Sequence, residues 1–135
     1  EVDTSSEKDI ETLFSLLLNR IFTISHISNP SFEEHKIFVK DNPYRYWFII
    51  QNNEDILGSA YIAYDNTVGI NLKVKENKYF EEVIFLMIKN YKPLSAIKSV
   101  MNRNFLININ PNDKDLNSIL LKLNMQHIQN TYIIK

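Results

Sequence analysis

The side chains suited to general acid–base chemistry are His26, His35 and His127 together with Asp65, Tyr61, Tyr64 and Tyr132. Histidine is the type whose ordinary pKa lies close to neutrality. His35 follows Ser31-Phe32-Glu33-Glu34, a capping box, so a structural or surface role is its plainer reading. His127 stands at the start of an expected strand and reads as exposed. His26 lies in the loop before the second helix. No two histidines have metal-ligand spacing, so no metal site is expected. The chain has no cysteine, which removes a thiolate nucleophile, a thiolate metal site and a disulfide framework. Its two glycines, Gly58 and Gly69, do not suffice for a glycine-rich phosphate loop.

The 135 residues are expected to form one domain, residues 1–135. Average usage would supply roughly nine glycines. The chain instead holds 17 Asn and 19 Ile, with 12 Lys against 3 Arg, the bias of an AT-rich coding sequence. The net charge is −1 and the basic residues are scattered, so the electrostatic footprint of a nucleic-acid binder is missing. No apolar run approaches the ~20 residues that span a bilayer, and no signal peptide is visible. With the lack of cysteine, this makes the cytoplasm the expected location. The first residue is Glu1 rather than Met, so a trimmed start and one domain of a longer protein both remain open.

The elements that must position these residues are written in the periodicity. Ser6 is placed as the N-cap of a helix over 7–19, with Ile10, Leu13, Phe14, Leu17 and Leu18 at helical spacing. The capping box at Ser31 opens a second helix over 32–41, which stops before Pro43. Strands are expected over 46–51, 56–64 and 68–74, the last alternating Val68, Ile70, Leu72 and Val74 with Gly69, Asn71 and Lys73. Helical spacing returns over 79–91, and Pro93 opens a further short helix to about 102. A strand over 105–110, a helix through Leu116, Ile119, Leu120 and Leu123, and a final strand over 128–134 complete the order. The class is α+β: a mainly antiparallel sheet with flanking helices. The crossover through 79–91 places the third strand and strand 105–110 parallel and adjacent. An exposed final strand would offer a template for pairing across a homodimer.

This order resembles the GNAT superfamily of acyl-CoA N-acyltransferases over roughly residues 20–134. Ser31-Phe32-Glu33-Glu34-His35-Lys36-Ile37-Phe38 resembles the second-helix segment of the branch that acetylates amino-sugar nucleotides and protein N-termini. Asp55-Ile56-Leu57-Gly58 resembles the turn into a family strand, with glycine in its usual place, and Val68-Gly69-Ile70-Asn71-Leu72 resembles the fourth family strand. Asn110-Pro111-Asn112-Asp113 followed by Lys122-Leu123-Asn124-Met125 is similar to the family's "PNN…KLGF" ending.

The resemblance implies a cleft between two splayed parallel strands, acetyl-CoA as donor and a small-molecule amine as acceptor. Leu72, Lys73, Val74, Lys75, Lys78, Tyr79, Asn110 and Asn112 would then contact the cofactor. It fixes no catalytic residue; the candidates are His26, Asp65 and Tyr64. Tyr44, Tyr46 and Trp47 would pack in the sheet or wall the acceptor pocket. Asn108 and Asn110 lie in the strand facing the cleft, where one would contact substrate, but in an Asn-rich chain solvent exposure is their plainer reading. The segment Lys75–Val83 departs from the family by lacking glycine, with Glu81 and Glu82 near the expected helix start. Asp113, Asn124, Met125 and Leu120 stand where family members carry Asn, Gly, Phe and often a tyrosine that protonates the departing thiolate. These departures define a second reading, a GNAT-fold binding or interaction domain that no longer holds acyl-CoA. A third is an acyltransferase with another donor, such as a carrier-protein thioester.

Overall fold

In the computed structural model, which describes residues 1–22, 28–74, 76–132 and 134, helix α1 (Glu7–Leu18) starts at its expected cap. The Ser6 hydroxyl accepts from the Asp9 amide at 3.3 Å. The buried stripe runs through Ile10, Leu13 and Leu16, while Leu18 turns outward. Helix α2 (Phe32–Asp41) carries the capping box: Ser31 Oγ accepts from the Glu34 amide, and Glu34 Oε2 accepts from the Ser31 amide at 2.7 Å. Asn42, left-handed at φ 41°, ends it before Pro43.

Strands β1 (Tyr46–Asn52), β2 (Asp55–Ile62) and β3 (Thr67–Leu72) form the antiparallel meander. Strand β4 (Leu106–Ile107) lies parallel beside β3, so the sheet order is β1-β2-β3-β4. The crossover passes through α3 (Asn77–Asn90), and α4 (Lys114–Lys122) follows β4. The fold is therefore α+β with a mixed sheet. No helix among the described residues is long and apolar enough to cross a membrane.

Strand alternation sorts the core into two sides. Tyr46, Phe48, Ile50, Ala60, Ile62, Val68 and Ile70 pack with Val83 and Met87 of α3. Trp47, Ile49 and Tyr61 pack on the opposite side with Ile10 and Leu13 of α1 and Val39 of α2. A third cluster joins Leu72, Phe80 and Ile119, fastening α4 and the start of α3 to the end of β3. Each fully buried Ile, Leu or Val contributes roughly 1.5–3 kcal/mol, and the three clusters fix the sheet between its helices.

Three expectations change. Residues 93–102 form no helix. The segment makes instead a tight loop closed by an Ile97–Met101 bridge, with Ser99 left-handed. Leu94, Ile97 and Val100 are exposed there, so nothing covers the apolar face that a helix would present. The final strand does not form among the described residues of 128–134. His127 and Gln129 make local hydrogen bonds there, and Ile128, Tyr132 and Ile134 stay exposed. The strand expected over 105–110 shortens to Leu106–Ile107.

His35 has a structural position. It is buried on α2, and its Nε2 donates to the Ile10 carbonyl at 3.2 Å, tying α2 to α1. Burial lowers its pKa below 6.5, the Ile10 bond opposes this, and the charge of Arg20 adds to the lowering. The unfolded chain therefore takes up this proton first as pH falls. Stability is full above about pH 7, declines below 6.5 by at most about 1.4 kcal/mol per pH unit, and levels off below the folded-state pKa. Denaturant titrations between about pH 7.5 and 5 should show this slope. The His35→Gln variant should lose that contribution. An unchanged slope in the variant would assign the pH dependence to other groups.

Candidate cleft between β3 and the segment after β4

The parallel pair is short. Thr67 pairs with Leu106 and Val68 with Ile107, and there the ladder stops. Beyond it, residues Gly69–Lys73 on one side and Asn108–Asn110 with Asp113 on the other line a common cavity of about 230 Å³. The strands thus part after one short contact and open a cleft.

Backbone alternation decides what faces it. The Ala63 amide bonds the Thr67 carbonyl and the Lys73 amide bonds the Leu57 carbonyl, so the odd residues of β3 bond toward β2. The Leu106 amide bonds the Asn66 carbonyl, so the even residues bond toward β4. The peptide groups of Ile70 and Leu72 consequently point to the cleft, where no described strand pairs with them.

Side chains close the cavity from the α1 side. The Tyr61 ring lies over Gly69, where a β-carbon would come within 2.2 Å of it. Tyr44 stacks on Tyr61 at 3.9 Å between centroids, and Trp47 meets Tyr44 edge-on at 4.9 Å. Burial pushes both phenols above their ordinary pKa, so they stay protonated. Leu16, Asn19, Arg20, Ile21, Ser59 and Asn71 complete that wall. On the far side, Asn110 and Asp113 build the turn into α4: Asn110 Oδ1 accepts from the Asn112 amide at 2.9 Å, and Asp113 caps α4 by accepting from Leu116.

Neither a family model, nor a curated protein, nor a solved structure matches this chain.

Of the residues expected to contact a cofactor, Leu72, Lys73 and Asn110 line the cleft. Asn112 sits beside Asn110, and Val74 is exposed just beyond β3. Lys78 and Tyr79 lie along a separate groove of about 710 Å³, between α3 and the β1–β2 side of the sheet. Lys75 and His26 lie outside the described residues. Asp65 and Tyr64 are exposed in the β2–β3 turn, where Asp65 Oδ1 accepts from the Thr67 amide at 2.9 Å, and neither lines the cleft. Among the described residues no group of three or more acidic or histidine side chains is placed to hold a metal ion.

Helix α3 begins at Asn77, two residues before its expected start, so Glu81 and Glu82 fall in its second turn and its first turn holds no acid. The acid at the positive end of the helix is instead Glu76, which stands at the N-cap without a side-chain cap bond and pairs with Lys78 at 3.3 Å. Phe80 is buried against Leu72 and Ile119.

Sequence patterns singled out Asn108, Asn110 and Tyr61. They missed Arg20, Ser59 and Asn71. The available signal for Arg20 was compositional: it is one of 3 arginines in a chain whose bias favours lysine.

Proposed function

We propose that the chain is a GNAT-like N-acetyltransferase, which moves an acetyl group from acetyl-CoA to the amino group of a small molecule. One observation carries the reading: β3 and the chain after β4 part beyond a short parallel contact, leaving the Ile70 and Leu72 peptide groups facing a cavity. An extended donor arm bearing amides can add to such an edge as a further strand. Lys73, at the end of that edge, supplies positive charge for a donor phosphate. The acceptor nitrogen would attack the thioester carbonyl, forming a C–N bond as the C–S bond breaks. The nitrogen releases its proton and the departing thiolate gains one. The Tyr44 hydroxyl donates to Tyr61, which leaves the protonated Tyr61 phenol as a hydrogen-bond donor nearby.

The capping of α3 favours a second reading. A carboxylate at Glu76 and a buried Phe80 in place of glycines make a poor seat for a pyrophosphate. A binding domain that has lost the donor would look this way.

Calorimetric titration with acetyl-CoA separates the two. The expected result is saturable binding, weakened about five- to tenfold by Lys73→Glu, since charge reversal is worth ~1 kcal/mol or somewhat more near a solvated phosphate. The Lys89→Glu control, on the outer part of α3, should bind like the parent. No binding at millimolar acetyl-CoA overturns the acetyltransferase reading and leaves the binding domain.

A further inference from the structure

Arg20 follows directly on α1, its amide bonded to the Leu17 carbonyl, and its side chain lines the cleft cavity. Its Nε is buried and has no hydrogen-bond partner among the described residues. A buried N–H left unpaired costs about 1–3 kcal/mol, and more where the group is charged. Nearly all such groups in folded proteins find a partner, so an orphan calls for an explanation. The carboxylate that shares the cavity lining, Asp113, is engaged with the Leu116 amide as the cap of α4.

The surroundings accentuate the positive charge. Arg20 acts on both phenols and on His35, in each case favouring the less protonated form, so its guanidinium lies within electrostatic reach of all three. Burial is nevertheless the largest effect on each of them. His35 is held neutral, and the two tyrosines stay protonated. The wall thus offers a guanidinium whose Nε has no hydrogen-bond partner among the described residues, together with phenol hydroxyls and the Ser59 hydroxyl. A guanidinium is always charged and presents its donors in a planar fork that matches a carboxylate or phosphate.

We propose that the α1 side of the cavity is an oxyanion-binding site, in which Arg20 receives the carboxylate or phosphate group of a small ligand. The volume of about 230 Å³ lies below the 300–1,000 Å³ of pockets for drug-sized molecules, so the ligand is small or only its anionic end enters. This deepens the acetyltransferase reading by making the acceptor an anionic or zwitterionic amine, and in that respect rests on it. The anion site itself is tested without any acyl donor, so its failure and the failure of donor binding are separate results.

The experiment follows the arginine Nε–H resonances of the nitrogen-labelled protein while sodium acetate or inorganic phosphate is added, with acetamide as the neutral counterpart. Arg45→Gln and Arg103→Gln assign the Arg20 resonance by elimination. The expected result is a saturable shift of the Arg20 Nε–H with acetate or phosphate and none with acetamide. The tighter of the two anions identifies the ligand group as carboxylate or phosphate. Arg20→Gln should weaken the anion at least tenfold, read by calorimetry, and Arg103→Gln, at an exposed position, should leave it unchanged. An equal response to acetamide, no saturable response, or undiminished affinity in Arg20→Gln overturns the proposal. The resonance shift of the parent protein decides the matter even if Arg20→Gln folds poorly.

Discussion

Replacing Gly58 by alanine is expected to destabilise the protein by about 3 kcal/mol, the upper part of the range for overpacking a core, and to lower its melting temperature by about 10 °C. Gly58 is buried in β2, between Ile50 of β1 and Leu72 of β3. A β-carbon there would stand 2.1 Å from the Asn71 carbonyl oxygen and 2.9 Å from both Cα and Cδ2 of Leu72. The Asn71 oxygen and the Leu72 Cα are backbone atoms, so no change of rotamer removes the overlap. The strands must separate, and they would do so where β3 forms the cleft wall. At Gly69 the corresponding atoms belong to the Tyr61 ring, a side chain held by its stack on Tyr44, and some adjustment is open to it. Equilibrium unfolding in denaturant measures the loss, and ligand binding to Gly58→Ala should weaken with it. A loss under about 1 kcal/mol would mean that the β2–β3 spacing relaxes freely, contrary to the close packing of folded interiors.

The helices and the meander were legible because their signals are local. Ser6 and Ser31 sit three residues before the amides they cap, and the alternation of β3 needs no distant partner to be read. Asparagine was harder to interpret. Its abundance looks compositional, yet it occupies four of the five left-handed non-glycine positions among the described residues, at Asn42, Asn53, Asn66 and Asn124. Neither glycine is used that way. Asn124 illustrates the exchange: the resemblance has glycine there, and Asn124 completes the same helix ending. Its amide bonds Leu121 and the Met125 amide bonds Leu120, the paired bonds of a Schellman ending. Asparagine tolerates the left-handed region better than other L-residues, so a glycine-poor chain can still end its helices and turn its hairpins.

What the sequence concealed depends on contacts between distant segments. The spacing after Pro93 suits a helix, but nothing covers an apolar face there. The alternation near the end suits a strand, but β4 spans only Leu106–Ile107 and no strand forms among the described residues of 128–134. The crossover rule places the strand of Asn108 and Asn110 beside β3, and the resemblance adds the cleft between them. Arg20 was not readable as a cleft residue, because it reaches the cleft only when the end of α1 folds against β3, and no periodicity records that approach.

Asn66→Asp is expected to cost about 3–5 kcal/mol at neutral pH, comparable to breaking a buried charge pair. Asn66 is fully buried and left-handed at φ 68°, in the turn between β2 and β3. Its Nδ2 donates to the Leu94 and Asn102 carbonyls, both at 2.9 Å, and its Oδ1 accepts from the Leu94 amide at 2.7 Å. Its own carbonyl accepts from Leu106, the first bond of the parallel pair. One side chain therefore captures the polar backbone of the loop that replaces the expected helix, and the same residue anchors β4. Aspartate has the same shape but would turn an oxygen toward two carbonyl oxygens. Ionised, it is a buried charge without a counterion. Protonated, it has one donor for two acceptors. Burial must raise its pKa above the unfolded value of about 3.9, so the folded state holds the proton more tightly. The stability of Asn66→Asp should then fall as pH rises from about 4 toward 7, opposite in sign to the His35 contribution. Asn66→Gly keeps the turn conformation while deleting the three side-chain bonds, and hydrogen exchange at the Leu94 and Leu106 amides should quicken in both variants. If Asn66→Asp stays within about 1 kcal/mol of the parent at pH 7, the loop and β4 are held by something other than this side chain.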